Sequence, residues 1–291
     1  MQLIGENLNI VSKRYGPALK ERDATPVREL AIAETNAGMD YLDINIGPAR
    51  KDGDKFMEWV VKTVQEVTGK QLSLDTTNPV AMEAGLKVHK GKALLNSISL
   101  QRMEEQLPLV TNYNCDFVAL LWGRDGLPRD ANERGAIAAE LLYNANEKGI
   151  GNDRIWFDPI VTPAVNVESN HVKHCLEFLS MLPDIAPGAK SIVGLSNVSN
   201  GAPDKLRPYL NRTLLMMLMK HNIHAVILDA FDRELIDIAR GKKPDLVKLV
   251  HRVLDGEKPD IASLDPEEAK YVKTVKVLLG EILYSHSWLE N

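Results

Sequence analysis

Eight short apolar runs, separated by stretches of helical periodicity, leave this 291-residue chain few ways to fold. The runs fall at 3–5, 41–46, 72–74, 93–95, 117–121, 155–157, 192–194 and 225–228. Each reads as continuously apolar, the pattern of strands covered on both faces of a parallel sheet. Helix signals fill the intervals. Thr25-Pro26 and Asn78-Pro79 each read as a capping residue followed by proline at the first helical position, and Gly38 closes the first of these helices. Further helices are expected over 132–148, 172–182, 205–221 and 234–240. Eight strand–helix units in about 240 residues match a (β/α)8 barrel. A doubly wound open sheet uses the same units, and strand count alone does not exclude it. Even spacing suits closure better, so an α/β TIM barrel is the expected fold.

The tail breaks this rhythm. Gly241-Lys242-Lys243-Pro244 and Glu257-Lys258-Pro259 interrupt the chain, with helices expected over 245–254 and 266–284. The reading is one barrel domain over 1–291, with a helical insert at 241–263 and a last barrel helix within 264–284 that packs against the sheet.

Charge and cysteine usage narrow the class. The net charge of −5 argues against nucleic acid as the main partner, because such proteins usually carry a basic surface that displaces counterions. Two distant cysteines, Cys115 and Cys175, are too few for a disulfide framework and suit a reducing cytoplasm. The N-terminus enters a strand pattern without a charged-then-apolar signal segment, and no apolar run approaches the roughly 20 residues of a spanning helix. A cytoplasmic protein without membrane contact is expected.

What ends the strands is more specific. Leu-Asp-Ile-Asn at 42–45, Leu-Ser-Leu-Asp at 72–75, Leu-Leu-Asn at 94–96, Trp-Phe-Asp at 156–158, Gly-Leu-Ser-Asn at 194–197 and Ile-Leu-Asp at 227–229 all finish in Asp or Asn. Any one of these is explained as well by helix capping, and Asn78 and Asp229 are read that way. Six converging on the carboxyl face of a barrel read as a ligand site. The rim is poor in His, Cys, Lys and Glu, so neither a metal site nor a phosphate cradle dominates. Carboxylates and amides suit a flat heterocycle with neighbouring N–H donors and ring acceptors. Pterins, purines and flavins all fit.

The combination of Ile-Gly-Glu-Asn at 4–7, Leu-Asp-Ile-Asn-Ile-Gly-Pro at 42–48, Leu-Asp-Thr-Thr-Asn at 74–78, Leu-Asn-Ser at 95–97 and Asp-Pro at 158–159 resembles the pterin-binding family. Val-Gly-Leu-Ser-Asn-Val-Ser at 193–199 and Arg-Pro-Tyr-Leu-Asn-Arg-Thr at 207–213 extend the resemblance toward the methyltetrahydrofolate:corrinoid protein methyltransferases. It covers roughly residues 1–240. The resemblance implies that Asp75, Asn96 and Asp158 hydrogen-bond the pterin ring and that Asn197 approaches its methyl-bearing nitrogen. It sets Gly194, Ser196, Arg207 and Lys190 in segments near the folate. It further implies 5-methyltetrahydrofolate and tetrahydrofolate as substrates, a corrinoid (cobalamin) on a partner protein, no tightly bound metal, and a homodimer. A dihydropteroate-synthase-like condensing enzyme and a non-catalytic folate-binding module are the competing readings.

No strong acid is apparent on the rim, so a hydrogen-bond network centred on Asn197 is expected to support the leaving nitrogen. His171, His174 and Cys175 form a His-x-x-His-Cys cluster that is read as helix surface and core, since no further ligand stands at zinc spacing.

Overall fold

The computed structural model describes residues 1–166 and 171–290. Eight parallel strands close in sequential order into a barrel. They are β1 (Gln2–Gly5), β2 (Tyr41–Gly47), β3 (Gln71–Thr76), β4 (Leu94–Ile98), β5 (Asp116–Leu120), β6 (Ile155–Asp158), β7 (Lys190–Gly194) and β8 (Ala225–Leu228). The last strand returns to the first, from Gln2 opposite Ala225 to Gly5 opposite Leu228, so no sheet edge is left and the open sheet is excluded.

The helices are α1 (Gly16–Glu21), α2 (Ala24–Asn36), α3 (Gly53–Gln65), α4 (Pro79–Val88), α5 (Met103–Asn112), α6 (Ala131–Glu147), α7 (His171–Ile185), α8 (Arg207–Met219), α9 (Arg233–Ala239), α10 (Pro244–Leu254) and α11 (Pro266–Leu278). Asn78 caps α4 as expected, accepting from the amides of Val80 (3.0 Å) and Ala81 (3.3 Å). Helix α2 differs from expectation. Its cap is Asp23, whose carboxylate accepts from Thr25 N at 3.1 Å, which moves Thr25 inside the first turn. The helix expected over 266–284 closes at Leu278, because Gly280 takes the left-handed conformation (φ 74°). Its main contacts lie with α8 and α10 and not with the sheet.

The strands are not uniformly apolar, and this is the main departure from the sequence reading. Leu42, Ile44 and Ile46 of β2, Leu72 and Leu74 of β3, and Phe117 and Ala119 of β5 join the core shared with the helices. Their alternate neighbours point inward. Ile4, Leu94, Val118, Trp156, Ile192 and Ala225 form a separate apolar cluster, with Tyr41 and Ile227 packed against it. That cluster fills the middle of the barrel. Continuing along the strands in steps of two, the inward positions Glu6, Asp43, Asn45, Asp75, Asn96, Leu120, Asp158, Gly194 and Ile227 line one cavity.

Two residues before the apolar layer, the other end is closed by an ionic plug. The buried Asp116, at the start of β5, accepts from Trp156 Nε1 at 3.1 Å and pairs with Lys92 (2.6 Å) and Lys190 (3.3 Å). The Lys190 ammonium also lies over the Trp156 ring, 4.9 Å from its centroid. Removing the carboxylate strands the indole N–H and leaves crowded cations. Asp116→Ala is therefore expected to cost about 2 kcal/mol or more of unfolding free energy by denaturant titration, with ligand affinity at the far end unchanged.

Candidate active site

The cavity at the carboxyl ends of the strands has a volume of about 270 Å3, and polar side chains from most of the strands meet there. Its polar groups are held in place by one another. Asn45 turns its amide oxygen to Gly47 N (3.0 Å) and donates Nδ2–H to Asp75 Oδ2. The register shift between Asn45 and Gly47, with Gly47 at φ 63°, makes this local turn. Beneath them the buried Asp43 accepts from Ser73 Oγ at 2.5 Å and from Asn96 Nδ2 at 3.1 Å. Two of the three side chains expected to touch a ring are thus fixed by inward residues of β2.

Asp158 is fixed differently. Its carboxylate accepts from Ile160 N at 2.8 Å, and Ile160 takes a left-handed backbone (φ 63°), uncommon for a β-branched residue. The loop is clamped from behind by the buried Arg134, whose Nε donates to Pro159 O at 2.9 Å and whose Nη1 donates to Asp130 O at 3.0 Å.

After β7 the chain makes a single 3-10 turn, Leu195–Ser199, which presents Ser196 and Asn197 to the cavity. Asn197 is exposed at the mouth, whereas Ser196 is half-buried. Gly194 permits this arrangement, since a Cβ there would come within 3.1 Å of Asn197 Nδ2. Ser196 donates its hydroxyl to Glu6 Oε1.

Six of the residues singled out from the sequence line this one cavity: Asp75, Asn96, Asp158, Gly194, Ser196 and Asn197. Arg207 opens α8, close enough for its charge to act on Glu6, but it is not part of the lining. Lys190 is corrected. It starts β7, four residues before Gly194 and roughly 13 Å away along an extended strand, and belongs to the plug on the opposite face. Glu6, which the sequence reading did not single out as a site residue, also faces the cavity one residue beyond β1. The Ile4–Glu6 spacing of two was the signal available for it. Asn9, Asp43, Asn45 and Ser97 complete the polar lining.

Burial dominates the electrostatics. It raises Asp43 and Asp75 above the usual carboxylate range, and the charge of Asp43 raises Asp75 further. Burial lifts Asp158 to about 6, opposed by the Ile160 amide and the Arg134 charge. Glu6 rises to about 7, through burial first and then through Asp229 and Asp43, against the Ser196 hydroxyl and Arg207. Behind it, Glu34 of α2 rises to about 8 for the same leading reason. Glu34 is fully buried against Gly5, where a Cβ would come within 2.8 Å of Oε1, and it accepts from Asn7 N at 2.9 Å.

Larger clefts lie outside the barrel mouth, two of them of about 440 and 380 Å3, and each holds an ion pair. Arg124 pairs with Glu140 at 2.6 Å and Lys242 with Asp237 at 2.8 Å. The side chain of His171 lies outside the described residues. Cys175 packs inward with its Sγ 3.2 Å from Ile160 O, its thiol raised to about 12 by burial. Among the described residues, no group of three His, Cys, Asp or Glu could hold a metal ion, and no helix is long and apolar enough to cross a membrane.

A closed (β/α)8 barrel with strand-terminal carboxylates and amides gathered in a cavity at its carboxyl face is the arrangement of an enzyme of this fold. The sequence model of pterin binding enzymes matches residues 6–229, and the chain belongs to that family. It is 26% identical over 240 residues to the methylcorrinoid:tetrahydrofolate methyltransferase of Eubacterium limosum, covering 81% of this chain and 88% of that one. Solved dihydropteroate synthases share the fold. The Xanthomonas albilineans enzyme in complex with 7,8-dihydropteroate superposes with a TM-score of 0.61 at 16% identity, covering 83% of this chain and 94% of that one. The Thermus thermophilus enzyme in complex with 6HMPPP gives 0.60 at 21% identity, covering 84% and 94%.

Glu34 makes the electrostatics testable. The native state keeps its proton after the unfolded chain has released it, so its stabilising contribution is whole below about pH 4.5 and is lost as pH rises toward about 8. Glu34→Gln keeps an acceptor for Asn7 N and should flatten that decline, read by denaturant unfolding at acidic and mildly alkaline pH. Parallel slopes in the two proteins would mean that Glu34 is ionised in the fold.

Proposed function

We propose that the chain transfers a methyl group between 5-methyltetrahydrofolate and the cobalt of a corrinoid carried by a partner protein. The observation that carries this reading is the division of labour in the cavity. Asp75, Asn96 and Asp158 are held by neighbouring groups and meet in its lining, while Asn197 stands exposed at its mouth. The name of the Eubacterium limosum relative supports the same chemistry.

In this reading Asp75 and Asp158 accept the paired N–H donors of the pterin, and Asn96 both donates and accepts along its edge. Burial raises each carboxyl, and a donor-rich ring supplies the hydrogen bonds that favour its ionised form. Asn197 faces the methyl-bearing nitrogen. Losing a methyl group from a neutral amine leaves a very basic nitrogen, so a donor or proton there lowers the barrier. The nucleophile is reduced cobalt, Co(I), which reaches the methyl group from the open side. The partner protein carries the corrinoid as a substrate.

A pterin-condensing enzyme would have a diphosphate leaving group to accommodate. No Lys or Arg lines the cavity among the described residues, which disfavours that chemistry. Wild-type protein should demethylate 5-methyltetrahydrofolate with free Co(I) cobalamin, followed by the cobalt absorption change, and should not consume 4-aminobenzoate. Asn197→Ala is expected to slow transfer at least tenfold, or about 1.4 kcal/mol, with the fold intact. Asp75→Ala should weaken folate binding by about 1–3 kcal/mol in equilibrium titration, since it strands buried donors of the ring. Unchanged affinity in that variant would remove Asp75 from the site.

A further inference from the structure

We propose that Glu6 is the proton reservoir of the site and that Ser196 relays its proton to and from the methyl-bearing nitrogen. The inference deepens the folate methyl-transfer reading and rests on it. Four observations assign the role to Glu6 and to no other carboxyl in the lining.

The first is placement. Glu6 projects into the cavity one residue beyond β1, at the inward position that follows Ile4. The second is connection. Glu6 Oε1 accepts from the Ser196 hydroxyl, and Ser196 precedes Asn197 in the same short turn, so the acid is bonded to the turn that presents Asn197 to the cavity. The third is the commitment of the other acids. Asp43 lies buried beneath the lining under Ser73 and Asn96, Asp75 is held by Asn45, and Asp158 by the Ile160 amide. None of those bonds leads to the turn that carries Asn197.

The fourth is the charge around Glu6. Asp43 of β2, Asp229 after β8 and Glu34 of α2 surround it with carboxyls, and Arg207 at the start of α8 is the cation that opposes them. Asn7, the next residue, takes up one neighbour on each side, donating its backbone N–H to Glu34 Oε1 (2.9 Å) and its Nδ2–H to Asp229 Oδ1 (2.9 Å). Burial among like charges brings the Glu6 carboxyl to about 7. A group so poised can donate in one direction and accept in the other near neutral pH.

The step balances as follows. The methyl carbon leaves the ring nitrogen and bonds to cobalt through the electron pair of Co(I). The pair of the broken N–C bond stays on nitrogen and takes a proton from Ser196 Oγ. That oxygen takes the proton of Glu6, which becomes a carboxylate and is reprotonated from solvent. In the reverse direction the nitrogen proton returns to Glu6 through Ser196 as the methyl group arrives from cobalt.

The sign of the pH dependence therefore differs with direction. Transfer to cobalt requires protonated Glu6 and falls as pH rises through about 7, whereas transfer from methylcobalamin requires its carboxylate and falls as pH drops through the same value. The test compares wild type, Glu6→Gln and Ser196→Ala in both directions across that range, using free cobalamin and equilibrium folate titration. Glu6→Gln should bind 5-methyltetrahydrofolate within about threefold of wild type, slow transfer by at least about tenfold, and lose the break near neutrality. Ser196→Ala should lose the same break while keeping Glu6. A Glu6→Gln enzyme with wild-type rates and an unchanged pH profile would overturn the role of Glu6 alone. Wild-type protein unable to exchange methyl groups with cobalamin would overturn this inference and the methyl-transfer reading together.

Discussion

The two-residue period of a strand, imposed on a sheet that closes on itself, is the constraint on which the rest depends. Closure gives every strand an inside that only side chains can fill and an outside that only helices can cover. The outward residues, such as Leu42, Ile44, Phe117 and Phe157, meet the helices in the main core. The inward residues sort by height into an ionic plug, an apolar layer built around Trp156, and a polar cavity. Each layer supports the next. The plug anchors the Trp156 indole, and above the apolar layer the polar groups are fixed by one another and by their own loops.

That layering produces the electrostatics of the site. Carboxyls that end separate strands are brought together in a buried space, so desolvation raises each of them, and repulsion from neighbouring carboxylates adds to the rise of Glu6 and Asp75. The fold tolerates this because each carboxyl has at least one donor: Ser73 and Asn96 for Asp43, Asn45 for Asp75, Ile160 N for Asp158, and Ser196 for Glu6. Glu34 shows the limit of that compensation. One of its oxygens bonds Asn7 N and the other is buried without a partner, and its carboxyl is raised to about 8.

How far the sequence could be read follows from the same geometry. Asp75, Asn96, Asp158 and Asn197 were legible because a polar residue that closes an apolar run stands out, and a barrel collects such residues on one face. Glu6 is not, because a continuous apolar pattern ends at Gly5 and the residue just past it looks like the start of a loop. Reading alternate residues would have placed it with Ile4. Lys190 was misplaced because proximity in sequence to Gly194 says nothing about height in the barrel. Glu34 carries no local sign of burial at all; its position depends on Gly5 lacking a side chain on a strand nearly thirty residues earlier. The end of α11 turned on the left-handed Gly280, which an apolar pattern continuing to Tyr284 obscured.

The ionic plug has a consequence for traffic. With Asp116, its two lysines and Trp156 sealing the lower end, the barrel is a blind vessel whose contents arrive and depart through one opening. A second reactant brought to a ring already seated there must cover the route by which that ring leaves. In the proposed reaction a partner docked over the mouth would act as a stopper, and the spent heterocycle would escape only after that larger body had withdrawn.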